Sequence, residues 1–282
     1  MKQTPLVSVI VTTRNNTATL DACLSSITRQ TYQPIELIVV DNNSTDDTKT
    51  IASSYTNLVF NKGPERSVQR NFAVSKSTGG FVCIVDSDME LSEGVIASCL
   101  EAVQQDGTSQ AVIIPEESFG VGFWAQCKRL ERSFYTGQDF IEAARFFSKG
   151  VYLQVGGYDE TMVGGEDWDL SQRVRKVSHI IRSKEYIRHN EGHLNLYKAL
   201  KKRFYYTVGF VQYFEHQGSK NAGAPAASVF SYYKLFLSKP GKLLRNPAYG
   251  IGMLFMKTSE FGANALGYVS ARRKLASQKG TK

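Results

Sequence analysis

The chain has 282 residues, 42% hydrophobic and 21% charged. That suits one large α/β domain, or an α/β core with a helical appendage, and excludes a disordered, collagen-like or coiled-coil chain. The net charge of +8 is unevenly spread, with 13 Lys+Arg against 22 Asp+Glu in residues 1–170 and 21 against 4 in residues 171–282, so the first part suits an acidic site and the second an anionic surface or substrate.

The predicted elements of the first 115 residues alternate. Leu6–Thr12 is a β-branched run and reads as a buried strand. Leu20, Leu24 and Ile27 recur at helical spacing. Ile35–Val40 is a second apolar run, followed by the turn chemistry of Asp41-Asn42-Asn43-Ser44. A helix is predicted from Ser44 to Tyr55, capped by Ser44 or Thr45, then a short strand over Leu58–Phe60 and a helix over Glu65–Ser75. Phe81–Val85 is a third strong strand, Val95–Val103 a helix and Ala111–Ile114 a strand. Strands alternating with helices predict βαβ units and a mostly parallel, twisted sheet. Four cysteines, Cys23, Cys83, Cys99 and Cys127, show no zinc spacing and read as reduced core residues. No run approaches 18 apolar residues, and Met1–Pro5 lacks a signal-peptide profile, so the expected address is the cytoplasm.

Open α/β sheets bind ligands beyond the carboxyl ends of their strands. Three polar clusters fall there: Thr12-Thr13-Arg14-Asn15, Asp41-Asn42 and Asp86-Ser87-Asp88. Chance supplies roughly one Asp-x-Asp in a chain of this length, so the position after a buried strand is what points to a Mg²⁺ or Mn²⁺ site with places open for phosphate oxygens. Asp41 suits a base or ribose hydroxyl, or else caps its own turn. A dinucleotide fold needs a glycine-rich turn after the first strand, and none is present. Arg66 and Arg70 share a helix face and suit phosphates, or solvent. Gly164-Gly165-Glu166-Asp167-Trp168-Asp169-Leu170 puts three acids at a helix start, more than the helix dipole requires, with Arg173 placed to hold Asp169. His189 and His193 lack the spacing of a zinc helix, and His189, after the strand-like Tyr186-Ile187-Arg188, either closes the nucleotide pocket or is structural.

As a set, these segments resemble family 2 of the glycosyltransferases, inverting enzymes with the A-type nucleotide-sugar fold. The resemblance runs through Pro5–Val11, Cys23–Ile27 with Gln30, Glu36–Asp46, Arg70-Asn71, Gly79 and Asp86-Ser87-Asp88, and closes with Val155–Glu160 and Gly165–Leu170 with Arg173. It covers residues 1–195, leaving 196–282 as a helical, basic, aromatic-rich region that matches nothing assignable. The resemblance implies a metal-dependent enzyme moving sugar from a UDP-sugar or GDP-mannose to a glycan or a polyprenyl-phosphate-linked acceptor. It implies Asp167 as general base with Glu166 in support, Asp88 as a ligand of Mn²⁺ or Mg²⁺ with Asp86 and His189 beside it, and Thr12, Arg14, Asp41, Arg66, Arg70 and Asp86 around the nucleotide. The rivals are a nucleotidyltransferase, for which the first loop is poor in Gly and Lys, and a basic nucleic-acid binder, which has no use for the ordered acids. Basic residues interleaved with Tyr and Phe after residue 196 suit peripheral docking on the cytoplasmic face of an anionic membrane or acceptor binding, or else a helical cap packed on the core with its lysines solvated. The Gly/Ala/Pro/Ser stretch Gly218–Ala227 reads as a linker.

Overall fold

A computed structural model describes residues 4–162, 164–216 and 229–279; the predicted linker lies outside them. The chain forms two compact units. The first comprises residues 1–117, 142–160 and 166–190, and the second residues 118–141, 161–165 and 191–282. The helical unit therefore draws in a segment from the middle of the chain as well as the region beyond residue 196.

The first unit begins with β1 (Val7–Thr13), α1 (Leu20–Thr28), β2 (Ile35–Asp41), α2 (Thr48–Ser53), β3 (Val59–Asn61), α3 (Arg66–Lys76), β4 (Phe81–Asp86) and β5 (Met89–Leu91). It continues with α4 (Val95–Asp106) and β6 (Ala111–Ile113); β7 (Glu116–Val121) then leads into α5 (Phe123–Ser133) of the second unit. The first unit resumes with β8 (Ala144–Ser148), α6 (Lys149–Gln154), α7 (Glu166–Arg175), β9 (Ile180–Arg182) and the start of β10 (Ile187–His193).

Seven strands form one sheet in the order β3-β2-β1-β4-β8-β6-β9. All neighbours are parallel except β8, which runs antiparallel to both β4 and β6. The strand period of two sorts the core. Val9, Val11, Val39, Cys83 and Val85 point to the face covered by α1 and α4, while Ile10, Ile38, Val40, Val82 and Ile84 meet α3, α6 and α7 on the other. Both faces are thus dry, as a parallel sheet requires. All four cysteines are free and buried.

The expected helix from Ser44 is shorter. The backbone N–H and hydroxyl of Ser44 both donate to the Asp41 carboxylate, and Asp46 accepts from Thr48 N, so side chains close turns that delay the helix to Thr48. The helix predicted over Val95–Val103 runs on to Asp106 and stops at Gly107, whose φ of 73° ends it in the left-handed region.

The second unit adds α8 (Leu196–His216), α9 (Val229–Leu237), α10 (Pro240–Leu244) and α11 (Pro247–Lys279) to α5. Its apolar core joins Cys127, Phe134 and Tyr135 to Phe236, Met253 and Met256. A buried charge cluster lies in the same unit. Lys128 Nζ donates to Glu131 at 2.8 Å and to Glu260 at 2.9 Å, and Lys257 Nζ donates to Glu131 at 2.8 Å and Glu260 at 3.3 Å. Burial pushes the Glu131 carboxyl up, but the two lysine charges outweigh it and hold it well below the usual range.

Candidate active site

The sheet puts its polar residues in one row. Register pairs Thr13 with Asp41 across β1 and β2, and Thr12 with Asp86 across β1 and β4, so all four stand at the carboxyl ends of adjacent parallel strands. The loops beyond are laced by short polar side chains. Asn16 Nδ2 donates to Ser87 Oγ at 2.8 Å, Thr19 Oγ1 donates to Ser87 O at 2.8 Å, and Asn15 N donates to Ser44 Oγ at 2.7 Å. Gln69 Nε2 braces the rim from below by donating to Val40 O and Thr13 O. These loops need fixed shapes, and local side-chain bonds supply them where ladder bonds end.

Across this rim runs a chain of paired arginines and carboxylates that ends on His189 and Asp88. Arg70 is fully buried and forked: Nη1 reaches Asp167 at 2.9 Å and Glu166 at 3.3 Å, and Nη2 reaches Asp86 at 2.6 Å. The other Asp86 oxygen lies 3.4 Å from Arg145, whose Nε donates to Glu116 at 2.7 Å. Glu116 lies 3.7 Å from His189 Nδ1, and His189 Nε2 lies 3.3 Å from Asp88. Eight side chains from α7, α3, β4, β8, β7 and β10 and the β4–β5 turn are thereby aligned. Burial raises the Asp86 carboxyl, but the charges of Arg70 and Arg145 outweigh it and hold Asp86 well below the ordinary carboxylate range.

Among the described residues, Asp167 at the start of α7 is held on one carboxylate oxygen, by Arg70 and by the Tyr158 hydroxyl at 2.8 Å. Burial and the Asp167 charge both push the Tyr158 phenol up, so it stays a donor. Tyr158 is fixed in turn by Asn71, whose side chain accepts from Tyr158 N at 2.9 Å and donates to Tyr158 O at 2.8 Å. Asn71 can enter only because residue 157 is glycine: its φ is 65°, and a Cβ would fall 2.7 Å from Asn71 Oδ1. The predicted Asp169–Arg173 pair forms at 2.6 Å, and Arg173 also donates to Val155 O and Gly157 O, binding α7 to that turn.

Several expected roles change. Arg70 does not face phosphate; its guanidinium is spent on three carboxylates with no exposed surface. Both oxygens of Asp86 face arginines, Arg70 at 2.6 Å and Arg145 at 3.4 Å. Asp41 is fully buried and closes its own turn through Ser44, with Lys49 3.6 Å away. Thr12 is buried on the rim, Arg14 is exposed beyond it, and Arg66 is half-exposed with Nη2 3.2 Å from Glu166. Sequence reading missed Arg145, Glu116 and Tyr158. A lone arginine inside the apolar strand Ala144-Arg145-Phe146-Phe147 was the available signal, because a buried charge needs partners.

Among the described residues no group of three or more His, Cys, Asp or Glu side chains is arranged to hold a metal by itself. Asp88 and His189 nevertheless offer an oxygen and a nitrogen 3.3 Å apart. Neighbouring ligands around a small divalent cation with bonds of ~2.1 Å stand about 3 Å apart. The pair therefore fits Mn²⁺ or Mg²⁺ when phosphate oxygens complete the shell.

The sequence profile described as glycosyl transferase family 2 matches residues 8–152. A PGL/p-HBAD biosynthesis glycosyltransferase of Mycobacterium tuberculosis is 29% identical over 181 residues, 60% of this chain and 69% of that protein. A GalNAc(5)-diNAcBac-PP-undecaprenol beta-1,3-glucosyltransferase of Campylobacter jejuni is 30% identical over 111 residues, 36% of this chain and 35% of that one. The mannosyltransferase PcManGT of Pyrobaculum calidifontis, solved with GDP-Man and Mn²⁺, superposes with a TM-score of 0.62 at 19% identity, covering 95% of this chain and 88% of that one. TarS of S. aureus, residues 1–349, with UDP-GlcNAc, superposes with a TM-score of 0.51 at 14% identity over 95% of this chain and 92% of that one.

Proposed function

The chain belongs to glycosyl transferase family 2 and is a glycosyltransferase, and on that footing we propose that it moves a sugar from a nucleotide-sugar donor to a hydroxyl of a glycan or lipid-linked acceptor, with inversion at the anomeric carbon. The observation that carries this reading is the charge chain, which holds the proposed base Asp167 and the diphosphate-side residue Asp88 on one rim of the parallel sheet. The GDP-Man and UDP-GlcNAc in the similar folds support a nucleotide-sugar donor. The undecaprenol-linked substrate in the name of the Campylobacter relative supports a lipid-linked acceptor.

The nucleoside lies against Thr12, Arg14 and the turn that Asp41 closes. Asp88 and His189 would hold a divalent cation, which when bound supplies positive charge beside the leaving diphosphate. Arg66, on the surface next to Glu166, adds a cationic side chain to the same rim. Asp167 takes the proton of the acceptor hydroxyl on the oxygen that Arg70 and Tyr158 leave open, and the hydroxyl oxygen attacks the anomeric carbon from the face opposite the diphosphate. One displacement inverts configuration. Arg70 and Tyr158 fix the direction in which the Asp167 carboxylate points, with Glu166 sharing the Arg70 guanidinium, and a fixed direction is the condition for general-base catalysis.

The test is a panel of UDP- and GDP-sugars with Mn²⁺ or Mg²⁺, scored by product. Release of nucleoside diphosphate with transfer of sugar of inverted configuration is expected. Release of pyrophosphate, or transfer unaffected by chelator, overturns the reading.

A further inference from the structure

Helix α11 keeps its charge inside and shows an apolar outer face over its first 25 residues. Between Pro247 and Ala271 its only charged residues are Lys257 and Glu260, and they are 5% and 4% exposed, facing Lys128 and Glu131 of α5. Its outer face steps through Ile251, Phe255, Thr258, Gly262, Leu266 and Val269 at helical spacing. Ile251 is 71%, Phe255 58% and Leu266 67% exposed. A helix facing water shows the opposite arrangement, with charge outside and apolar residues inside. The stripe is about 27 Å long at 1.5 Å per residue.

The surroundings of the stripe select its occupant. All but four of the exposed large apolar side chains among the described residues, the exceptions being Leu58, Leu153, Val177 and Tyr186, belong to this unit. Lys239 and Arg245 precede the stripe, and Arg272, Arg273 and Lys274 follow it. After Glu215 the sequence holds eleven Lys and Arg against one acidic residue, the buried Glu260. Two copies of so basic a surface repel one another. An anionic lipid surface attracts it, and apolar side chains flanked by Lys and Arg match the boundary between headgroups and acyl chains. No described helix is long and apolar enough to cross a membrane.

We propose that the outer face of α11 docks in the plane of an anionic bilayer, with Ile251, Phe255 and Leu266 in the acyl boundary and the flanking basic side chains on the headgroups. This goes beyond the sugar transfer proposed above and does not rest on it.

The test is flotation of the full chain with phosphatidylcholine vesicles, with and without phosphatidylglycerol, at low and high salt. Two triple variants accompany it, Ile251→Gln/Phe255→Gln/Leu266→Gln and Lys239→Gln/Arg245→Gln/Arg273→Gln. All six positions are exposed, so circular dichroism and thermal midpoint should match wild type. Wild type is expected to float with the anionic vesicles and to be released by salt. The basic triple should partition on the order of 10²-fold less, at about a fivefold loss per residue, and the apolar triple at least ~10-fold less. Nucleotide-sugar turnover with a soluble acceptor should be unchanged in both, which separates failure of docking from failure of the sugar-transfer reading. A folded wild type that ignores anionic vesicles at low salt overturns the proposal. So does an apolar triple that floats like wild type. So does a wild-type dimer that the apolar triple converts to monomer without vesicles, since a second copy then covers the face.

Discussion

Replacing Arg70 by Met removes the cation on which three carboxylates converge and leaves a side chain of similar length in the buried space. Breaking a buried ion pair from one side costs about 3–5 kcal/mol. Here the low end applies, because Glu166 keeps Arg66 at 3.2 Å and Asp86 keeps Arg145 at 3.4 Å, while Asp167 is left with the Tyr158 hydroxyl. A loss of ~3 kcal/mol in a domain of this size lowers the thermal midpoint by roughly 6–12 °C. The pH dependence follows from the direction of the Asp86 shift. A carboxyl held low in the folded state stabilises fully above its unfolded value of about 3.9 and loses that contribution as pH falls through the folded value. In the variant the carboxylates repel, so protonation relieves them. The gap between wild type and Arg70→Met should therefore be widest near neutrality and narrow as pH falls below about 5, on through the low folded value of Asp86. Arg70→Lys keeps the charge without the fork and should fall between the two. Thermal melts by circular dichroism across that range test this. A loss below ~1 kcal/mol at pH 7, the scale of an exposed pair, or a gap that does not change with pH, refutes the reasoning.

Asp167→Asn keeps shape but takes no proton, so transfer should fall by roughly 10²-fold or more with donor affinity little changed; near wild-type turnover would move the base to Glu166 or Asp169. Asp88→Ala should weaken binding of the donor's diphosphate and abolish the response to Mn²⁺ in isothermal titration, while the melting curve stays at wild type. Gly157→Ala drives a Cβ to 2.7 Å from Asn71 Oδ1 and 2.9 Å from Tyr152 Cε1, and should cost about 1–3 kcal/mol. Gly150→Ala, in α6 with its nearest neighbour at 4.0 Å, should be neutral or stabilising by ~0.5–1 kcal/mol; equal melting points for the two would refute the clash.

The strands that define the rim were legible because β1, β2 and β4 are continuous β-branched runs, and a strand buried on both faces leaves that signature whatever lies beside it. Their carboxyl ends could be located from the same runs, which is why Asp41, Asp86 and Asp88 stood out. The insertion of β8 between β4 and β6 was not legible. It pairs Cys83 with Phe146 and Val112 with Phe146, and such long-range pairings leave no trace in local periodicity. The same limit hid the true work of Arg70: spacing put it on a face with Arg66, but the carboxylates that claim it come from β4 and from α7, nearly 100 residues away. The helix start at Thr48 was misjudged by a purely local competition, in which Asp41 and Ser44 bond each other before the helix can claim Ser44.

Helix α11 is apolar on both sides, with Met253 and Met256 within and Ile251 and Phe255 without. Burial of oily surface alone therefore does not choose its rotation, since a turn about its axis exchanges one apolar stripe for another. Lys257 and Glu260 make that choice. Their partners Lys128 and Glu131 stand at one azimuth only, and any other rotation strands two charges without counter-ions. The quartet works as a key in a slot, like the single polar residue that sets register in a coiled coil. Exchanging all four for apolar side chains should leave a helix that still packs, yet no longer knows which way to face.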